Sequence, residues 1–302
     1  FHDAPFHMPT MVLKGASQPS VWTRRGYVGG LVTPLLQPKP AAPVSPPSPP
    51  PSGEMDVVVL GSGVSTSVPM MQHVLAGKAC KDRNLFRKSD GLSCCQEAMR
   101  NPYSKNRRNN VSVMIRYAHP DGRMRYIMVD AGKTLRDTVL NTFPTLNISS
   151  IDALVLTHGH ADAILGMDDL RDLQVVTEVK DKNGQGMGYQ SVTGPIQIIS
   201  NAATLERARE VFPYLSTTIS YNEHGLLQRR VADLQWKEIQ DDDAVDVAGL
   251  PMRSFPVYHG GTYISLGFTF GHRSSFVYIS DVSALPDATR TYLLSLKGQI
   301  QV

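Results

Sequence analysis

The stretch "IDALVLTHGHADAILGMDDLRDL", Ile151 to Leu173, sets an apolar run ahead of two histidines and an aspartate at alternate positions. The run Ile151–Leu156 predicts a strand that delivers His158, His160 and Asp162 into the loop at its carboxyl end, where open α/β sheets carry their sites. Imidazole nitrogens and carboxylates are the donors that bind zinc, iron or manganese, so His-x-His-x-Asp reads as half of a metal site. The amphipathic "ILGMDDLRDL" predicts a helix directly after it. The bland alternative is a polar loop with two solvated histidines. A strand on one side and a helix on the other argue against it.

Upstream, Val57–Leu60 predicts a strand running into Gly61 and Gly63. This is not a dinucleotide fingerprint, because the third glycine is missing and Pro69 interrupts the segment after Gly63. "VSVMIRYAHPDGRMRYIMVDAG" contains two strand-like runs joined by Pro120-Asp121-Gly122, a hairpin signal, and reads as a sheet edge feeding Asp130. "KTLRDTVLNTFPTL" carries Leu135, Val139 and Leu140 at helical spacing. Downstream, "DKNGQGMGYQ" reads as a glycine-rich turn or short loop. His259 in "FPVYHGGTYISLGFTF" and Asp281 in "FVYISDVSALPD" each follow a β-rich stretch, so both can arrive at the sheet edge that carries His158.

The chain has 302 residues, 41% hydrophobic and 19% charged, enough for a sizeable core. A net charge of +3 is too small to argue for nucleic acid and does not repel an anionic substrate. No apolar run has the length of a membrane span. Three cysteines, Cys80, Cys94 and Cys95, make no even-numbered secreted framework, which predicts an intracellular, reducing compartment. Residues 1–53 hold Asp3 as their sole acid beside Lys14, Arg24, Arg25 and Lys39, and end in "PKPAAPVSPPSPPPSG". They read as a disordered Pro/Ser-rich extension, with a plastid or mitochondrial transit peptide as the open alternative to a plain cytoplasmic protein. Residues 54–302 then form the ordered domain.

Asp130-Ala131-Gly132, Thr157-His158-x-His160-x-Asp162, the lone His259 and then Asp281 resemble, in that order, the metallo-β-lactamase superfamily over about residues 55 to 302. Within it, "NRRNNVSVMIRY", "VDAGKTLRD", "THGHADAILGMDDLRD" and "FPYL" are similar to the branch of the phosphonate-pathway cyclic-phosphate phosphodiesterase. The resemblance implies an αββα sandwich, truncated at the C-terminus because the chain stops at "LKGQIQV", before the region of the family's final histidine. It implies that His158, His160 and His259 hold one divalent ion and that Asp281 bridges to a second. Asp162 would face that second ion and serve as the catalytic carboxylate that orients water or accepts a proton. Asp130 would orient the ligands rather than bind metal. The superfamily's usual histidine after the motif aspartate is Ala163 here, which cannot ligate; Asp168 or Asp169, further along the expected helix, is the candidate substitute.

The function so implied is hydrolysis of a small or cyclic phosphodiester by a metal-bound hydroxide, with one or two zinc ions as cofactor and manganese or iron as alternatives. Lys105, Arg107 and Arg108 are candidate phosphate contacts, weighed against a solvated loop. Cys80, Cys94 and Cys95 are candidate ligands of a structural zinc, weighed against buried thiols. A tRNA 3′-processing-type endoribonuclease acting on RNA is one alternative. A degenerate, non-catalytic fold that binds a metal or a partner, motivated by Ala163, is the other. A homodimer stays open.

Overall fold

The computed structural model describes residues 47–75, 91–216, 221–228, 232–271 and 276–296, all within one compact unit, Pro43–Val302. The chain enters β1 (Met55–Gly61), a short α1 (Met71–Leu75) and α2 (Gly91–Arg100), then the hairpin β2 (Ser112–Ala118) and β3 (Met124–Val129). Next come α3 (Leu135–Leu146), β4 (Ala153–Val155), a one-turn α4 (Ala161–Ile164) and a 3-10 helix, Met167–Asp172. A second hairpin, β5 (Val176–Lys180) and β6 (Gly186–Ser191), precedes β7 (Ile196–Ser200), α5 (Ala202–Val211) and α6 (Pro213–Ser216). The chain continues through β8 (Leu234–Glu238), β9 (Ala244–Val247), β10 (Leu250–Tyr258), β11 (Ile264–Phe270), β12 (Phe276–Tyr278) and α7 (Asp287–Ser295).

The strands pair into a mixed sheet ordered β1-β2-β3-β4-β7-β8 and an antiparallel sheet ordered β12-β11-β10-β9. Period-two alternation sorts their side chains between two cores. Ile127 and Val129 of β3, with Ile115 of β2 and Val155 of β4, meet Leu266, Phe268 and Phe270 of β11 between the sheets. Met114, Met128 and Leu154, on the alternate positions, meet Leu135 and Phe143 of α3 and Leu205 and Ala208 of α5. On the far side of the second sheet, Tyr292 of α7 packs on Phe255 of β10 at 5.7 Å and Thr289 donates to Pro256 O at 2.7 Å. The layers are therefore helix, sheet, sheet, helix, as the resemblance implies.

Three local expectations change. The β2–β3 hairpin is present, with Val113 opposite Val129, but β3 lies between β2 and β4, so Asp130 leaves an interior strand rather than an edge. Parallel pairing of β3 with β4 puts Asp130 beside the metal loop, because both strands end on the same side. The expected helix after the histidines breaks into α4 and the 3-10 turn at Gly166. A Cβ built on Gly166 would lie 2.4 Å from Gly132 O, so the chain presses against the Asp130 loop instead of continuing its spiral. "DKNGQGMGYQ" is more than a turn: Gly186–Ser191 forms β6, paired antiparallel with β5. No helix among the described residues is long and apolar enough to cross a membrane.

Candidate metal centre

Three loops converge at the carboxyl ends of β3 and β4 and the end of β10. The loop after β4 carries His158 and His160 and runs into α4, which carries Asp162; the turn between β10 and β11 carries His259; and the segment after β12 carries Asp281. Leu266 N of β11 donates to Thr157 O at 2.9 Å, which ties the second sheet to the histidine loop. Ser283 Oγ accepts Gly260 N–H and donates to Tyr258 O, both at 3.0 Å, fastening the His259 turn to the Asp281 segment.

Two donor groups result, with His158 in both: His158, His160 and His259, and His158, Asp162 and Asp281, all ligating atoms of each group lying within 4.8 Å of one another. His160 Nδ1 stands 3.1 Å from His259 Nε2, and Asp281 Oδ2 is 3.3 Å from His259 Nε2 and 3.7 Å from His158 Nε2. Two ligands bound about 2.1 Å from one tetrahedral ion stand about 3.4 Å apart, so the spacing suits such an ion. Asp162 Oδ1 lies at 3.9 Å from His158 Nε2.

A buried atom tests the fit. His158 is 1% exposed, and its Nε2 has no hydrogen-bond partner among the described residues, a cost that a cation removes. Burial, then the neighbouring His160 ring, pushes the His158 pKa down to about 4, so the imidazole is neutral and its lone pair free to donate. Burial, then the charge of Asp162, raises Asp281. Two carboxylates and three imidazoles gathered at one place form a donor set that a divalent ion fits.

Asp130 belongs to neither donor group and packs against the histidine loop. It is fully buried, at φ 61, and accepts from Thr157 N at 2.8 Å and from Thr157 Oγ1 at 3.0 Å. Tyr278 Oη donates to it at 3.4 Å. Burial raises its pKa to about 7 against these hydrogen bonds. Thr157 Oγ1 in turn meets His158 Nδ1 at 2.8 Å, so the hydroxyl connects Asp130 to the histidine. The motif includes Thr157 without assigning it a role, and no pattern along the chain points to Tyr263 or Tyr278; only the hydrogen-bond partners expose them.

The remaining candidates are placed elsewhere. Ala163 is buried in the core under the loop, and its carbonyl accepts Ala131 N–H at 2.7 Å. Asp168 does not replace it: Tyr214 Oη donates to Asp168 at 2.7 Å and Arg171 pairs with it at 2.8 Å, and neither Asp168 nor Asp169 belongs to a donor group. Arg107 donates to Ala98 O and Arg108 to Ser62 Oγ, each at 3.0 Å; both guanidiniums are used to hold loops. Cys94 and Cys95 sit on α2, with Cys95 Sγ 3.2 Å from His73 Nδ1, and Cys80 lies outside the described residues.

A family model described as beta-lactamase superfamily domain matches residues 125–296, the span that holds both donor groups. A solved diphosphatase from the PhnP family is 25% identical at a TM-score of 0.52, covering 79% of this chain and 69% of its own. Zinc-bound PqqB from Methylobacterium extorquens has the same TM-score and coverage at 17% identity, a likeness of fold. No curated protein matches the chain significantly. By the family match, the sandwich and the order of its motifs, the chain belongs to the metallo-β-lactamase superfamily, and it is similar there to the PhnP-like branch.

Proposed function

We propose that the protein is a metal-dependent hydrolase acting on a small or cyclic phosphodiester. The observation that carries this reading is the pair of donor groups joined at His158. His158, His160 and His259 with Asp281 would hold one divalent ion, and Asp162 with Asp281 would face a second. An ion so held supplies a water of lowered pKa and a positive charge for a phosphoryl oxygen. Asp162, 4% exposed and a member of one donor group, would take the proton of the attacking water. Water oxygen joins phosphorus, the bond from phosphorus to the leaving oxygen breaks, and that oxygen takes up a proton. Asp130, acting through Thr157, keeps the His158 ring turned so that Nε2 is the donor. The likeness to a protein named a diphosphatase supports cleavage at phosphorus.

The test is metal content per chain, with turnover of bis(p-nitrophenyl) phosphate before and after chelation and after re-addition of zinc, manganese or ferrous iron. The reading expects about one to two bound ions and an activity that chelation abolishes and metal restores. Bound metal with no turnover of any phosphoester would leave the non-catalytic alternative suggested by Ala163. Preferred cleavage of RNA with steep salt dependence would favour the endoribonuclease.

A further inference from the structure

Gly159 lies between the two histidine donors of its loop and has no room for a side chain. A Cβ built there falls 2.9 Å from Cγ and 3.0 Å from Cβ of Arg207, and 3.7 Å from the Tyr263 hydroxyl. Two residues with no part in holding metal thus meet the metal loop at one backbone position. Arg207 arrives from α5 and Tyr263 from the turn after β10.

Both carry groups suited to an anion. The Tyr263 ring stacks on His160 at 4.8 Å with planes 16° apart, which fixes its direction. Its hydroxyl oxygen accepts Gly159 N–H at 3.2 Å, and no acceptor for its own proton is found among the described residues. The stem of Arg207 lies on Gly159, while the side chain is 58% exposed and its guanidinium meets Glu210 at 3.0 Å. An ion pair so open to water is weak, so Glu210 yields readily to a better acceptor. The arginine fork matches phosphate oxygens in pairs. Arg209, two residues along and roughly 200° around the helix, is used differently: its guanidinium sits 4.8 Å above the Trp236 ring.

We propose that Arg207 and Tyr263 form a subsite beside the metal centre for a second, non-reacting anionic group of the substrate, selecting compounds with two linked phosphates over those with one. This rests on the reading of the site as one for phosphate esters. The metal donors would take the reacting phosphate, the Tyr263 proton an oxygen near it, and the Arg207 fork the phosphate beyond.

The experiment is calorimetric titration of metal-loaded protein with inorganic pyrophosphate and with orthophosphate, metal content being checked after each titration. The proteins compared are wild type, Arg207→Gln, Arg207→Lys, Tyr263→Phe and Arg209→Gln. Arg207→Gln should weaken pyrophosphate by about tenfold or more, the scale of a lost charged hydrogen bond, and orthophosphate by much less. Arg207→Lys keeps the stem on Gly159 and the charge but loses the fork, and should fall between; it also serves if Arg207→Gln folds poorly. Tyr263→Phe should weaken both ligands, and Arg209→Gln should match wild type. Equal losses in Arg207→Gln and Arg209→Gln, equal losses for the two ligands, or no pyrophosphate binding by wild type would overturn the proposal. Turnover of bis(p-nitrophenyl) phosphate is read alongside. Selective pyrophosphate binding without phosphoester hydrolysis would sink the proposed activity and leave the subsite standing; hydrolysis without selectivity would do the reverse.

Discussion

The Thr157 hydroxyl stands 2.8 Å from Nδ1 of its chain neighbour His158, and the same oxygen lies 3.0 Å from both carboxylate oxygens of Asp130. A buried hydroxyl therefore links Asp130 to the histidine shared by both donor groups. Thr157→Val keeps the shape and removes this link. Metal affinity, measured by competition with a chelator, should fall about 10- to 100-fold. Thr157→Ser, which keeps the hydroxyl, should bind most of the metal that wild type does; a valine variant as tight as wild type would show that the hydroxyl does not matter.

His158 belongs to both donor groups and Asp162 to one. Elemental analysis should find no bound metal in His158→Ala, whereas Asp162→Ala should keep the ion on His158, His160 and His259 while losing turnover. Equal metal loss in the two variants would contradict the assignment.

Bound metal should also stabilise the fold, since it ties together loops from both sheets. At a free concentration about a thousand times its dissociation constant, an ion adds roughly 4 kcal/mol, which a chelator removes as a drop in melting temperature. His158→Ala should melt at the same temperature with and without chelator.

Gly132 has Asp162 O 2.1 Å from where a Cβ would be built, a backbone atom that cannot swing aside. Gly132→Ala should cost about 1–3 kcal/mol by urea unfolding and should loosen metal as well, because the Asp130 loop and the Asp162 loop must part. Retained metal affinity in a destabilised variant would mean the loops move together.

Asp121, in the β2–β3 turn, accepts Arg123 N–H and pairs with Arg125, and these contacts, the backbone one first, hold its pKa at about 2. Its folded value is below the unfolded one near 4, so its contribution to stability is full above about pH 4 and is lost as pH falls through the folded value. Acid unfolding of Asp121→Asn should depend less on pH across that interval; an unchanged slope would show that the turn contributes nothing.

Much of the fold is readable along the chain. Runs of β-branched, aromatic and other apolar residues mark β1, β2, β3, β10 and β11, because such side chains suit strands packed within a sheet. His158, His160 and Asp162 stand in one short loop, so local spacing alone betrays them as donors. His259 and Asp281 follow β-rich stretches, and the order of motifs points to the superfamily. Position across the fold is what the chain does not carry. A hairpin pattern reads as a sheet edge, yet Asp130 leaves an interior strand, because sheet order depends on parallel pairing with β4, a contact between distant segments. The helix after the histidines breaks at Gly166, whose N–H donates to Ala131 O at 2.7 Å, a partner on a distant loop, instead of continuing the helical ladder. Asp168 does not stand in for the ligand missing at Ala163 because Tyr214, 46 residues away, already holds it. The meeting of Arg207, Tyr263 and Gly159 has no signature along the chain at all: periodicity reports which face a residue takes, and only packing between elements decides what stands opposite it.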